Sequence, residues 1–264
     1  MEKLDRSRLG FWADKELKIQ AAHILDLCEI VLRKEIRQIT PFLTQSMSSW
    51  LQDTLERSRL KYLAAGGFAD SERVRYVIGP SDEILIESDA EVEILHIVPV
   101  DSTIKLEHRH ILGSLIGLGL KREVIGDILP GQTGVYVAIT SELAGFLLRE
   151  WDRVGSDKVR VSIPETELKL LPDEGEERRI TVSSSRLDAV AAGGFGISRS
   201  SMQELIIQGK VKRNDVVMLK PDLEVHSGDI ISCRGQGRLR LLETEGVTRK
   251  GRTAWKVRVF KAKH

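Results

Sequence analysis

The strongest constraint on how this chain can fold is a run of alternating hydrophobic periods between residues 91 and 163. Glu91 to Val98 is apolar at alternate or consecutive positions, as in a strand, and His108 to Leu120 has helical spacing. Ile125 to Leu129 and Gly134 to Ile139 read as two strands joined through Pro130-Gly131. Ser141 to Trp151 is a second helix and Val159 to Ile163 a last strand, so the order is βαββαβ. That order predicts a ferredoxin-like or RRM-like domain over residues 89–171 of an α+β protein. Many unrelated proteins share this plan, so it fixes an architecture and leaves function open.

The flanks differ from this segment and from each other. From Lys15 to Ile39 the residues Leu17, Ala21, Ile24, Leu25, Cys28, Val31, Leu32 and Ile36 follow helical spacing, and Pro41 stops the run. Ser46 to Leu63 repeats the pattern and Gly66-Gly67 closes it, so residues 1–88 are expected to be mainly helical. PDEGEERRI, residues 172–180, reads as a linker or loop. Beyond it the charge changes sign. The net charge of the whole chain is only +1, but residues 181–264 carry +8 and residues 1–180 carry −7. A basic terminal domain on an acidic body suggests a head that binds polyanions.

Within the basic domain, Ser198 is placed to cap a helix carrying Met202, Leu205 and Ile206 on one narrow apolar face, and Gly209 ends it. Arg199, Ser200 and Gln203 project elsewhere on that helix. Leu187, Val190 and Ala191 mark a shorter helix upstream, where Gly193-Gly194 permits close packing. Asn214-Asp215 suits the tip of a tight hairpin between Val211–Arg213 and Val216–Met218. Another turn at Ser227-Gly228-Asp229 precedes a strand from Ile230 to Arg234.

The run RLDAVAAGGFGISRSSMQELIIQGKVKRN, followed by the GD of SGDIISCRGQGR, closely resembles the S4-type (alpha-L) RNA-binding domain. RGQGRLRLLETEGVTRKGRTAWKVRVFK, HRHILGSLIGLGLKREVIGDI and GGFADSERVRYVI resemble the YlmH family, whose cyanobacterial and plastid branch is labelled photosystem II S4 domain protein. The resemblance covers nearly the whole chain. It departs at Asp215, where that domain often has Gly, and at Arg213, where an apolar residue is common. It implies an S4 domain over residues 181–264 with a basic C-terminal extension, and a two-helix surface with an adjoining hairpin that grips structured RNA.

The residues it points to are Arg186, Ser198, Arg199, Ser200, Gln203, Lys210, Lys212, Arg213 and Asn214. Arg234, Arg238, Arg249, Lys250 and Arg252 extend the positive surface, with Arg240, Lys256 and Arg258 beside them and a hairpin expected around Glu245-Gly246 to Gly251. Lys and Arg neutralise phosphates and release counterions, and Arg can grip a phosphate with two N–H groups. The implied partners are structured ribosomal RNA and tRNA on the large ribosomal subunit, in ribosome-associated quality control or another translation-linked role. An effect on photosystem II would be indirect. The implied location is the cytoplasm, or the plastid stroma in a plastid-bearing organism. A second reading is a protein-interaction adaptor in cell division or photosystem assembly, acting through the acidic N-terminal helices.

Chemistry finds little support. Arg186-Leu187-Asp188 resembles the RLD of pseudouridine synthases, yet AVAAGGFGISRS follows and ties the triplet to the RNA module. His108 and His110, two apart, point to different sides of a helix, a poor metal pair. Cys28 and Cys233 are far apart and form no CxxC knuckle, so both read as packing residues. GSLIGLGL lacks the GxxxxGK[ST] phosphate-loop pattern and sits within helix signals. Arg109, Lys121 and Arg122 read as ordinary surface charges. The central domain lacks the aromatic platform of RNA-stacking sheets apart from Tyr136. No run approaches the roughly 18 apolar residues of a membrane-spanning helix, and MEKLDRSRLGFW has no signal-sequence core. The expectation is a noncatalytic RNA-binding protein without cofactor or metal.

Overall fold

A computed structural model describes residues 4–12, 14–171, 175–214, 216–248 and 251–261. The chain divides into two compact units after Leu171.

The first unit opens with a 3-10 turn, Arg6–Phe11, and the helix α1 (Lys15–Lys34). The carboxylate of Asp14 accepts from the backbone N–H groups of Glu16 and Leu17, the usual way an orphan helix N-terminus is satisfied. Ala21, Ile24, Leu25, Cys28 and Val31 line its buried face. The sequence pattern runs five residues too far here. Glu35 turns left-handed at φ 55°, and β1 (Gln38–Ile39) departs in extended form. The helix α2 (Gln45–Leu55) likewise stops short of Leu63, and Lys61–Ala65 is the strand β2. With β3 (Arg75–Gly79) these make an antiparallel sheet of order β1-β3-β2. The N-terminal region is therefore a mixture of helix and sheet, because Ile39, Leu60 and Tyr62 satisfy a strand pattern as readily as the helical one.

The central segment folds as its periodicity requires. It comprises β4 (Val92–Pro99), α3 (His108–Gly117), β5 (Ile125–Pro130), β6 (Val135–Thr140), α4 (Ser141–Glu150), β7 (Arg153–Val154) and β8 (Asp157–Ser162). The sheet order is β5-β6-β4-β8-β7, antiparallel throughout, with the short β7 added at one edge. On the helix side Leu95, Ile97, Ile111, Leu115, Val137, Ile139 and Leu147 form one core. The other face is covered as well. Phe42 and Phe68 from the N-terminal region pack with Tyr136 and Ala138, and Leu168 and Leu170 flank them. Tyr136 is only 5 % exposed and stacks on His96 at 4.3 Å, so the one aromatic that could have stacked a base is an internal packing residue.

Two arginines fasten this cover. Arg73 donates to the carbonyls of Phe42, Arg122 and Ile125, and Arg75 to those of Thr40, Ala90 and Glu91. The β5–β6 connection leaves no room at Gly134, which sits at φ +79° where a Cβ would lie 2.1 Å from the carbonyl oxygen of Ile97. Gly134→Ala is expected to destabilise the first unit by about 2–4 kcal/mol, combining left-handed strain with a backbone clash. A lower denaturation midpoint with an unchanged slope would show it.

The second unit begins with β9 (Glu176–Val182), followed by α5 (Leu187–Phe195) and α6 (Arg199–Ile207). Its remaining strands are β10 (Val211–Arg213), β11 (Val216–Val217), β12 (Ile230–Cys233), β13 (Gly237–Val247) and β14 (Thr253–Lys261). The sheet order is β11-β10-β12-β13-β14-β9, so the first strand of the unit pairs with its last. Trp255, Val257, Leu239, Leu241 and Ile231 face the two helices. Gly194 lets α5 lie flat on this sheet, since a Cβ there would fall 2.4 Å from Leu239. Among the described residues no helix is long and apolar enough to cross a membrane, and no group of three His, Cys, Asp or Glu side chains could hold a metal.

Candidate nucleic-acid interface

The helix pair of the second unit is organised around one carboxylate. Asp188 lies in the first turn of α5 with no exposed surface. Arg186 reaches it from just before the helix, its Nε at 3.2 Å from one oxygen and its Nη2 at 3.2 Å from the other. Arg199, at the start of α6, makes the same two-pronged contact at 3.0 and 3.1 Å, and the amide of Gln203 donates at 2.6 Å. Burial alone would push the carboxyl upward. The hydrogen bonds from Arg186, Arg199 and Gln203 outweigh it and hold Asp188 below its ordinary value of 3.8.

This geometry fixes the guanidiniums and leaves part of each in solvent. The arginine side chains are 40 % and 44 % exposed, and each spends its Nε–Nη2 edge on Asp188. Two positive charges over one buried negative charge leave a net positive surface with pre-set donors, the arrangement that suits a phosphate. Ser198 caps α6 by accepting from the Ser201 N–H at 3.1 Å, and its hydroxyl also contacts those of Ser200 and Ser201. Arg186, Ser198, Arg199, Ser200 and Gln203 therefore converge on the outer side of the helix pair, beside the electropositive N-terminus of α6. Asp188 itself is enclosed by its partners and is not presented to a substrate.

The other basic residues separate by strand register. Leu239 meets Gly194 on the helix side, so Arg238 and Arg240 face away from the helices. Lys212, Ser232, Arg238 and Phe260 stand opposite one another in a row on that outer face, where Arg238 lies 4.7 Å over the Phe260 ring. Arg258 and Lys256 share the face and both pair with Glu177. Lys210, Arg234 and Arg252 are exposed at strand ends, and Arg249 and Lys250 lie outside the described residues.

Two hairpin residues are spent on the protein itself. Asn214 adopts φ 48°, donates its amide to Asp229 at 2.7 Å and accepts from the Ile230 N–H at 2.8 Å. Arg213 pairs with Asp229 at 3.1 Å and donates to the Glu224 carbonyl at 2.7 Å. Arg213 and Val216 pair across the hairpin, and Asp215 lies outside the described residues. Sequence reasoning missed Asp188 and Asp229 as organisers. The signal available was an acidic residue inside a basic cluster and the Gly-Asp of the turn.

Two short helices lying on a sheet beside a tight hairpin, with basic residues along the helices, define an S4-type RNA-binding module. The S4 domain model matches residues 185–231, and a model described as putative RNA-binding domain in YlmH matches residues 86–168. The chain is 32 % identical to ribosome-associated protein quality control protein P2 of Bacillus subtilis (strain 168), over 88 % of this chain and 90 % of that protein. It belongs to the YlmH family. A solved structure of cell division protein ylmH from Streptococcus pneumoniae aligns with TM-score 0.50 and 22 % identity, covering 58 % of this chain and 93 % of its own, a likeness of fold.

Proposed function

We propose that this protein is a noncatalytic RNA-binding factor that acts on the ribosome, recognising structured ribosomal RNA and tRNA on the large subunit. The observation that carries this reading is the Asp188-centred fork, which presents Arg186 and Arg199 beside the serine-rich N-terminus of α6. A pre-organised pair of guanidiniums recognises backbone geometry more than base identity, as suits folded RNA whose grooves hide its bases. The name of the Bacillus subtilis relative supports a role in ribosome-associated quality control, and the cytoplasm is the compartment such a role implies. In a photosynthetic host, any effect on photosystem II follows through translation.

The test is cosedimentation with ribosomal subunits and with tRNA across a salt series, comparing wild type with Ser200→Glu. Ser200 is exposed in the first turn of α6, where a glutamate favours the helix, so the variant keeps its fold while placing negative charge beside the phosphate site. Large-subunit binding that weakens about tenfold, with a salt slope shallower by roughly one phosphate contact, is the expected result. Equal binding by both proteins at every salt concentration would overturn the assignment of this face.

A further inference from the structure

The five-stranded sheet of the first unit has an edge, beyond the short β7, that no strand covers among the described residues. β8 pairs with β4 along Val159 to Ser162, while β7 shields its other side only at Asp157 and Lys158. The Val159 N–H donates to the Asp152 carbonyl at 2.8 Å, so the main-chain groups of Val159 point away from β4. By the two-residue period of a strand those of Val161 point the same way. Among the described residues no strand meets the N–H and C=O of Val161 there. They open into a groove of about 640 Å³ lined by the apolar Leu148, Trp151, Val159 and Val161 and by the polar Arg149, Asp152, Arg160 and Ser162.

Three observations decide what fits. An unpaired main-chain edge accepts another extended strand, and neither a folded RNA nor a helix can complete its ladder. The groove presents apolar side chains to solvent, with Leu148 38 % exposed and Ile163 beyond the strand end 43 % exposed. Arg149 and Arg160 are exposed, outnumber the one carboxylate of the lining, Asp152, and have no ion-pair partner among the described residues, although residues 1–180 as a whole are acidic. We infer that this groove docks an extended segment of a partner protein by strand addition to β8, its sequence alternating apolar residues toward Leu148 and Trp151 with acidic residues toward Arg160. This site is separate from the RNA-binding helices and gives the acidic unit a protein partner of its own.

The test uses the isotope-labelled full chain and a capped ten-residue peptide of alternating valine and glutamate, with a valine–lysine peptide and an RNA hairpin as comparisons. Amide exchange followed by NMR is expected to slow at least tenfold at Val161 with the glutamate peptide and to stay unchanged with the other two. Val161→Pro removes only the outward-facing N–H, a change edge strands tolerate, and because the reporting amide goes with it this variant is read by the peptide-induced chemical-shift changes at Arg160 and Ser162, which should disappear. The pair Arg149→Glu and Arg160→Glu leaves the backbone intact and should transfer the preference to the lysine peptide, which keeps the question answerable if the proline variant does not fold. Unchanged exchange at Val161, protection that rises with protein concentration alone, or protection by the RNA hairpin would each overturn the proposal.

Discussion

Asp188→Ala is expected to lower the stability of the second unit by about 2–4 kcal/mol and to weaken RNA binding with it. The carboxylate is buried and accepts five hydrogen bonds, four from arginines. Hydrogen bonds to charged groups contribute about 1.5–3 kcal/mol each in isolation, but they are not additive around one acceptor. Removing it leaves two like charges facing each other across a small void, and both guanidiniums lose the fork that orients them. Asp188→Asn keeps the shape and removes the charge, so it should fold better than alanine while still binding RNA weakly. The pH dependence has a definite sign. The folded-state carboxyl titrates below 3.8, so its contribution is fully present above that value and is lost as pH falls through the lower, folded value. Denaturation midpoints of wild type and Asp188→Asn should therefore converge in strong acid and separate above pH 4. Parallel curves across the whole range would show that the network does not depend on the charge.

Arg75→Leu should have an effect of similar size on the first unit. Arg75 is 9 % exposed, and burial lowers its affinity for a proton, yet its guanidinium donates to three main-chain carbonyls from two segments, Thr40 and the adjacent Ala90 and Glu91. Leucine fills part of the volume and leaves those carbonyls without their donor, a loss of about 3–5 kcal/mol. The sheet face bearing Tyr136 would then be only loosely covered, so the variant should bind a hydrophobic dye and lose near-ultraviolet circular dichroism before its secondary structure melts. A single cooperative transition at the wild-type midpoint would contradict this account.

Asp188 and Arg75 also show what could be read in the chain beforehand. The βαββαβ order was legible because each element of the central segment has one clear period and is bounded by turn residues such as Pro130-Gly131. The two helices around Arg186 to Gln203 were legible for the same reason, and Ser198 caps α6 as its position suggested. The N-terminal strands were hidden because β1 and β2 are short and their apolar residues continue the spacing of the preceding helices. That the region folds over a sheet depends on Arg73 and Arg75, whose partners are main-chain carbonyls of distant segments and leave no trace in a hydrophobic pattern. The separation of Lys212 and Arg238 from Arg199 was hidden too. Clustering in sequence reports charge density, while strand register decides the face on which each charge stands.

The closure of the second unit's sheet bears on how the protein is made. β9 is the first strand of that unit to be synthesised and β14 the last, and the two are neighbours, with Arg258 pairing Glu177 across 81 residues. Until the final strand leaves the translating ribosome, β9 has no partner in its sheet and Trp255 cannot enter the core. Nascent chains halted before residue 253 should accordingly remain sensitive to protease in this unit, and resistance should come only once β14 has left the ribosome. A protein whose relative is named for ribosome-associated quality control would thus need β14 synthesised before the unit that carries its S4 domain can settle.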